Sequence, residues 1–237
     1  MARRFPRLSA LGSYWTSQRG LAALLVSVAL LIFVFLPLEN SGLLGSTWLF
    51  IADIWFAATI IAGASTLGWR RVRHGIIVLA IGLILFTLSV RLVARSFPVR
   101  WTEVVASVSS VLVLSVLVAL ILARVFREGT AARERLFGAV AAYLLLGLDW
   151  AECYRLVDVL LPGSLHGLSW QPHAHNLAAF VYFSLSTLTT SGYGDIVPVS
   201  LPARSLANME SLTGQLFPAI LIARLVSMSF LPRTPPP

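Results

Sequence analysis

Lysine is missing altogether: all 18 basic residues are arginine, set against only 10 acidic ones. Charged residues make up 12% of the 237 positions, while 57% are hydrophobic and the mean hydropathy is +0.84. A water-soluble globule with so little charge would carry apolar groups over its surface as well as in its core, so that class is excluded. Cysteine occurs once, at Cys153, which rules out an intrachain disulfide and reads as core filler. No small-x-small cleavage site follows the apolar run behind Arg3, Arg4, Arg7 and Arg19, so that run reads as a retained membrane helix and not a signal peptide. No internal repeat is visible. The net charge of +8 does not point to nucleic acid, because the arginines fall between apolar segments, where topology signals lie.

What the sequence does contain is six apolar segments, at 20–37, 44–65, 75–94, 103–123, 136–161 and 205–230. Each is long enough to cross a hydrocarbon layer of roughly 30 Å as a helix. The expected fold is therefore an all-α membrane protein with six transmembrane helices. Between the fifth and sixth segments lie the polar, turn-rich run 162–176 and the apolar stretch 177–190, which is too short to span. That stretch predicts a re-entrant helix followed by non-helical backbone. Basic loops stay cytoplasmic, so the arginines near the N-terminus, at Arg70, Arg71 and Arg73, and at Arg124, Arg127, Arg133 and Arg135 place both termini inside a cell (inner) membrane. Arg91, Arg95 and Arg100 then fall on the outer side, against the same rule.

The stretch "TLTTSGYGD", 187–195, puts hydroxyls, two glycines and a carboxylate in one run of this apolar chain. Non-helical backbone at membrane depth is tolerated only where protein buries it or where it lines a watery path. If 190–194 runs extended, with Gly192 and Gly194 at positive φ, successive carbonyls can point the same way. Ringed around an axis, the carbonyls of Thr190, Ser191, Gly192 and Tyr193 and the Thr190 hydroxyl would replace the water shell of a cation. The short helix would aim its C-terminal dipole at the same ion.

On these residues the chain resembles the potassium-channel pore family and its T-V-G-Y-G filter. The resemblance covers 136–230, from outer helix through "TLTTSGYGDIVP" to inner helix, and more narrowly the stretch looks like short bacterial six-helix channels without a cytoplasmic regulatory domain. It implies a potassium filter at Thr190, Ser191, Gly192, Tyr193 and Gly194, with Ser191 standing where the family usually has valine. It further implies that Asp195 and Tyr182 support the filter, that Gly214 is a hinge of the inner helix, and that four copies form a homotetramer in lipid. Pro218 would free the Gly214 carbonyl and bend the helix there. The expected organisation is a cytoplasmic segment 1–19, a four-helix peripheral bundle 20–123, a cytoplasmic linker 124–135, a pore domain 136–230 and a short tail 231–237. With only Glu103 at its edge, the fourth segment lacks the charges that voltage sensing needs.

Other polar residues are weighed beside these. Asp149, Glu152, Arg155 and Asp158 recur every third residue and read as a neutralised structural stripe. Glu210 lies one turn before Gly214 on the sixth segment, where it would either pair behind the filter or raise the local cation concentration. His166, His173 and His175 stand in the outer turn, where histidine charge would change with external pH. "GYGD" also fits the G-x-G-D intramembrane aspartyl proteases, with Asp149 or Asp53 as second carboxylate. In those enzymes the motif opens a helix, whereas Pro198 and Pro202 here suit a loop leaving a pore mouth. A nonselective cation channel is the other alternative, and no catalysis is expected.

Overall fold

The computed structural model describes residues 20–40, 99–126, 132–168 and 177–229, with isolated positions between 82 and 93. Most of the second and third expected spans, residues 1–19 and 231–237, and Asp53, Arg91, Arg95, His173 and His175 lie outside the described residues.

The first segment is helical from α1 (Gly20–Leu30) through a π-helical turn, Leu31–Phe35, into the short α2 (Leu36–Asn40). Within that turn the Leu36 amide reaches back to Leu31 O, one residue further than an α-helix allows. Pro37 explains the widening: it has no amide to give and its ring crowds the carbonyl four residues earlier. Helix α3 (Arg100–Val125) and helix α4 (Ala132–Leu160) follow. Among the described residues, Gly20–Leu38, Arg100–Val125 and Arg133–Leu160 are long and apolar enough to cross a membrane. The chain is thus a mostly helical membrane protein.

Helix α4 is the hub, packing on α1, α3, the short α5 (Leu177–Leu188) and α6 (Leu201–Ser229). Leu21, Leu24 and Val28 of α1 and Leu114, Leu117 and Ile121 of α3 are buried with Ala139, Ala142 and Leu145 of α4. Lipid is as apolar as these side chains, so helix association here rests on close packing more than on expelled water. Small residues on α4 permit it. A Cβ at Gly138 would lie 2.6 Å from Val125 Cγ2 and 3.3 Å from Leu21 Cδ1.

Beyond α4, two residues of β1 (Leu165–His166) pair antiparallel with β2 (Val197–Pro198), a small addition to the expected all-α fold. The pair joins the turn after α4 to the segment leading into α6, helped by the Val199 amide on Ser164 O at 2.9 Å. Asp158 closes the turn itself, its Oδ1 accepting from the amides of Gly163 and Ser164 at 3.2 and 3.1 Å. Arg100, expected on the outer side against the charge rule, donates to the Leu160 carbonyl at the C-terminal end of α4. A guanidinium at that end complements the helix dipole, a local reason for its position.

Helix α6 begins four residues before the expected 205. Ser200 caps it, its Oγ accepting from the Ala203 amide at 3.3 Å. Pro202, expected in a loop, stands in the first helical turn, where a missing amide costs nothing.

The crowding at Gly138 leads to a graded expectation. Gly138→Ala should cost about 1 kcal/mol, since the Leu21 end can yield but Val125 Cγ2 sits on a branched side chain with one stiff torsion. Gly138→Leu should lower stability by about 1–3 kcal/mol through overpacking of α1 and α3 on α4. Thermal unfolding of the detergent-solubilised variants measures both.

Candidate functional site

Helix α5 is apolar and has no charged residue, yet its sequence places Ser184, Ser186 and Thr187 among Phe180, Val181 and Phe183. The Ser186 and Thr187 hydroxyls bond back to Phe183 O at 2.9 Å each, so they stay satisfied without leaving the helix. Its C-terminus is then closed by the chain that follows. Thr190 N donates to Thr187 O at 2.9 Å, Ser191 N to Ser186 O at 2.8 Å, and Gly192 N to the same Ser186 O at 3.1 Å. The first two bonds are the paired closure of a Schellman end, whose left-handed residue is usually glycine. Here it is Thr190, at φ 59°, the one non-glycine residue with positive φ among the described residues.

In a trans peptide the N–H of one residue points opposite to the carbonyl of the residue before it. With the amides of Thr190, Ser191 and Gly192 turned towards α5, the carbonyls of Thr189, Thr190 and Ser191 face away from it. Gly192 and Gly194, at φ 55° and 83°, continue the alternation begun at Thr190. All of 189–195 is exposed in the single chain. An edge of oxygens without covering protein is an arrangement suited to replacing cation hydration.

Three ties hold this strand. The Tyr182 ring of α5 stacks on the Tyr193 ring, with centroids 5.8 Å apart and planes 8° from parallel. The Tyr182 hydroxyl also lies near the Asp195 carboxylate. On the other flank, a Cβ at Gly167, which has φ 90°, would lie 1.9 Å from Asp195 O, so only glycine lets the turn after α4 approach so closely. Ser191 does not leave a stray hydroxyl: its Oγ is 3.0 Å from Thr189 Oγ1, which itself donates to Leu185 O at 2.7 Å.

Gly214 lies where α6 meets the end of α5. A Cβ there would sit 1.8 Å from Leu188 O, the carbonyl that also accepts from the Tyr143 hydroxyl at 3.1 Å. Pro218 is inside α6, which runs without interruption through it to Ser229. The glycine is thus required by close approach, whatever else it does.

The polar residues of α4 take partners both within their row and outside it. Asp149 Oδ2 accepts from Ser115 of α3 at 2.7 Å, Arg155 pairs with Glu152 at 2.9 Å, and Asp158 serves the turn. Asp149 is held by Ser115 and shares no hydrogen bond with Asp195 among the described residues, unlike a carboxylate pair sharing a proton. His166 is on β1 opposite Val197, two residues past Asp195. Glu210 is fully buried between α4, α5 and α6.

Sequence reasoning did not single out Tyr143, Gly147, Tyr154, Gly167 or Ser184. A serine in the middle of an apolar twelve-residue helix, a turn before the threonine run, was a usable signal for Ser184. The others are ordinary letters of a helix or loop until the packing is known.

Residues 150–230 match the family model for ion channels. No curated protein and no solved structure matches the chain.

Gly214→Ala should lower thermal stability by about 1–3 kcal/mol, because its methyl group meets a backbone oxygen that cannot move aside. Pro218→Ala, which restores a helical bond, should leave stability unchanged or raise it. Parallel melts of the two variants decide between contact and flexibility as the reason for Gly214.

Proposed function

We propose that four copies of this chain form a potassium-selective pore in the cell membrane, conducting passively and without voltage sensing. Each copy would contribute α4 as outer helix, α5 as a re-entrant pore helix, residues 190–194 as the filter and α6 as inner helix. The chain would cross the membrane six times with both termini cytoplasmic. Thr190, Ser191, Gly192, Tyr193 and Gly194 would coordinate potassium, the permeant ion, and Asp195 and Tyr182 would brace them. Gly214 and Pro218 would let the inner helix bend as a gate. No reaction is catalysed.

The observation that carries this reading is the turning of three consecutive amides onto α5, which leaves the carbonyls of 189–191 on an uncovered edge. An unpaired carbonyl at membrane depth costs several kcal/mol against lipid, so that edge needs water, ions or another copy beside it. A second support is α6. Met209, Leu212, Leu216 and Ile220 form a large exposed apolar row at helical spacing, on the side away from Glu210 and Gly214. Four symmetric copies would enclose the oxygen edge and give this row a common axis to face.

Purified protein in liposomes should show reversal potentials set by potassium and not by sodium, and cross-linking should stop at four copies. Gly192→Ala forces a methyl group onto a residue at φ 55°, a conformation that costs about 1–2 kcal/mol for an L residue. It should remove the preference for potassium, as should Tyr193→Ala, which loses the stack on Tyr182. Equal permeability of the two ions in the unmodified protein would instead establish a nonselective cation channel.

A further inference from the structure

Glu210 has no exposed surface, although it is an acid on a helix whose opposite side is largely uncovered. Its Oε2 accepts from the Tyr154 hydroxyl of α4 at 2.6 Å. Its Oε1 lies 2.5 Å from Ser184 Oγ of α5, and that hydroxyl is also 2.6 Å from Gly147 O of α4. Tyr154 and Ser184 are themselves fully buried, and the Tyr154 ring meets the Phe183 ring edge-on at 4.8 Å. One carboxyl group thus joins three helices. Both of its partners are hydroxyls.

From this geometry we infer that Glu210 is a positioning residue, acting through hydrogen bonds to hold the inner helix against the pore helix and so to keep the filter strand in register. The inference rests on the channel reading. The mechanical path is short. Ser184 lies two residues before Ser186, whose carbonyl receives the amides of Ser191 and Gly192. One turn along α6 from Glu210, Gly214 abuts Leu188 O at the end of the same helix. Displacing α6 at Glu210 therefore shifts the carbonyls on which the filter amides hang.

The rival role, a negative charge that concentrates cations in the conduction path, conflicts with the burial. A carboxyl enclosed by α4, α5 and α6 of one chain does not face a path formed between chains. The two roles also differ in what they require of the side chain. Ser184 has a single proton and two oxygens within reach, so an amide in place of the acid fits the site. Its oxygen accepts from Tyr154, its N–H donates to Ser184, and Ser184 donates to Gly147 O.

The test is made on the full chain reconstituted in liposomes, with potassium and sodium reversal potentials and single-channel conductance as readouts. Glu210→Gln should keep the potassium-to-sodium permeability ratio within about twofold of the unmodified protein, and Glu210→Leu should lower it about tenfold, equivalent to about 1.4 kcal/mol of discrimination. Tyr154→Phe and Ser184→Ala remove one hydroxyl each with little change of volume, so they read the same link if Glu210→Leu fails to assemble. Each should lower the ratio, and combined with Glu210→Leu neither should lower it further. A Glu210→Gln channel whose conductance falls at low potassium and recovers at high potassium would mark a charge effect and overturn the inference. So would unchanged selectivity in Glu210→Leu or in both hydroxyl variants. If the unmodified protein passes neither ion, the channel reading itself fails and this inference fails with it.

Discussion

A helix end leaves its last carbonyls without partners inside the helix, and the groups around it must supply them. In this chain the end of α5 meets that requirement with the amides of the next residues, Thr190, Ser191 and Gly192. The consequence is geometric. Once those amides are committed to Ser186 and Thr187, the trans peptide directs the preceding carbonyls to the other side. Satisfying the helix end and presenting an edge of oxygens are one and the same event. Its cost is the left-handed Thr190, about 1–2 kcal/mol for an L residue. Two net hydrogen bonds of about 0.5–1.5 kcal/mol each are enough to offset it.

Around that strand, three glycines mark the places where neighbouring elements come closest. Gly147 admits α5 to α4, where a Cβ would lie 2.6 Å from Leu185 Cδ2, Gly214 admits α6 to Leu188, and Gly167 admits the turn after α4 to Asp195. The three contacts differ in hardness. At Gly147 the obstacle is the tip of a leucine, which can rotate; at Gly214 and Gly167 it is a backbone oxygen, which cannot. The firm contacts lie at α6 and the turn after α4, the two elements that bracket residues 189–195. Position of the strand is thereby fixed from both ends, while the α4 side keeps some tolerance.

The long apolar helices were legible because their physics is local. Hydropathy marks α1, α3 and α4 within a few residues, and the run of threonines and glycines in an apolar chain marks the strand after α5. Close approach was not legible. Nothing in the letters around Gly214 separates a hinge from a contact, because the distinction depends on Leu188, twenty-six residues earlier, arriving at the same place. Likewise the spacing of Asp149, Glu152, Arg155 and Asp158 predicts the Glu152–Arg155 pair, but not the partners of Asp149 on α3 and of Asp158 in the turn. Pro202 misled for a related reason: proline breaks helices in their interior and suits their first turn, and only the position of Ser200 as cap decides which applies.

Ser191 shows how a departure from a family pattern can be absorbed. A valine at that position would pack its methyl groups behind the strand, whereas serine brings a hydroxyl that must find a partner. Thr189 has one hydroxyl proton and gives it to Leu185 O at 2.7 Å, so the 3.0 Å contact between Thr189 and Ser191 leaves Ser191 as donor. A relay from Ser191 through Thr189 to α5 replaces apolar packing with two directional bonds. Net contributions of about 0.5–1.5 kcal/mol per bond match the transfer of a methyl group or two from water, so the exchange need not loosen the strand. Direction is what changes: packing resists compression from any side, while the relay resists movement of Ser191 away from Thr189 most strongly. A strand held in this way is stiffest along the line to α5, the same line on which Tyr182 meets Tyr193.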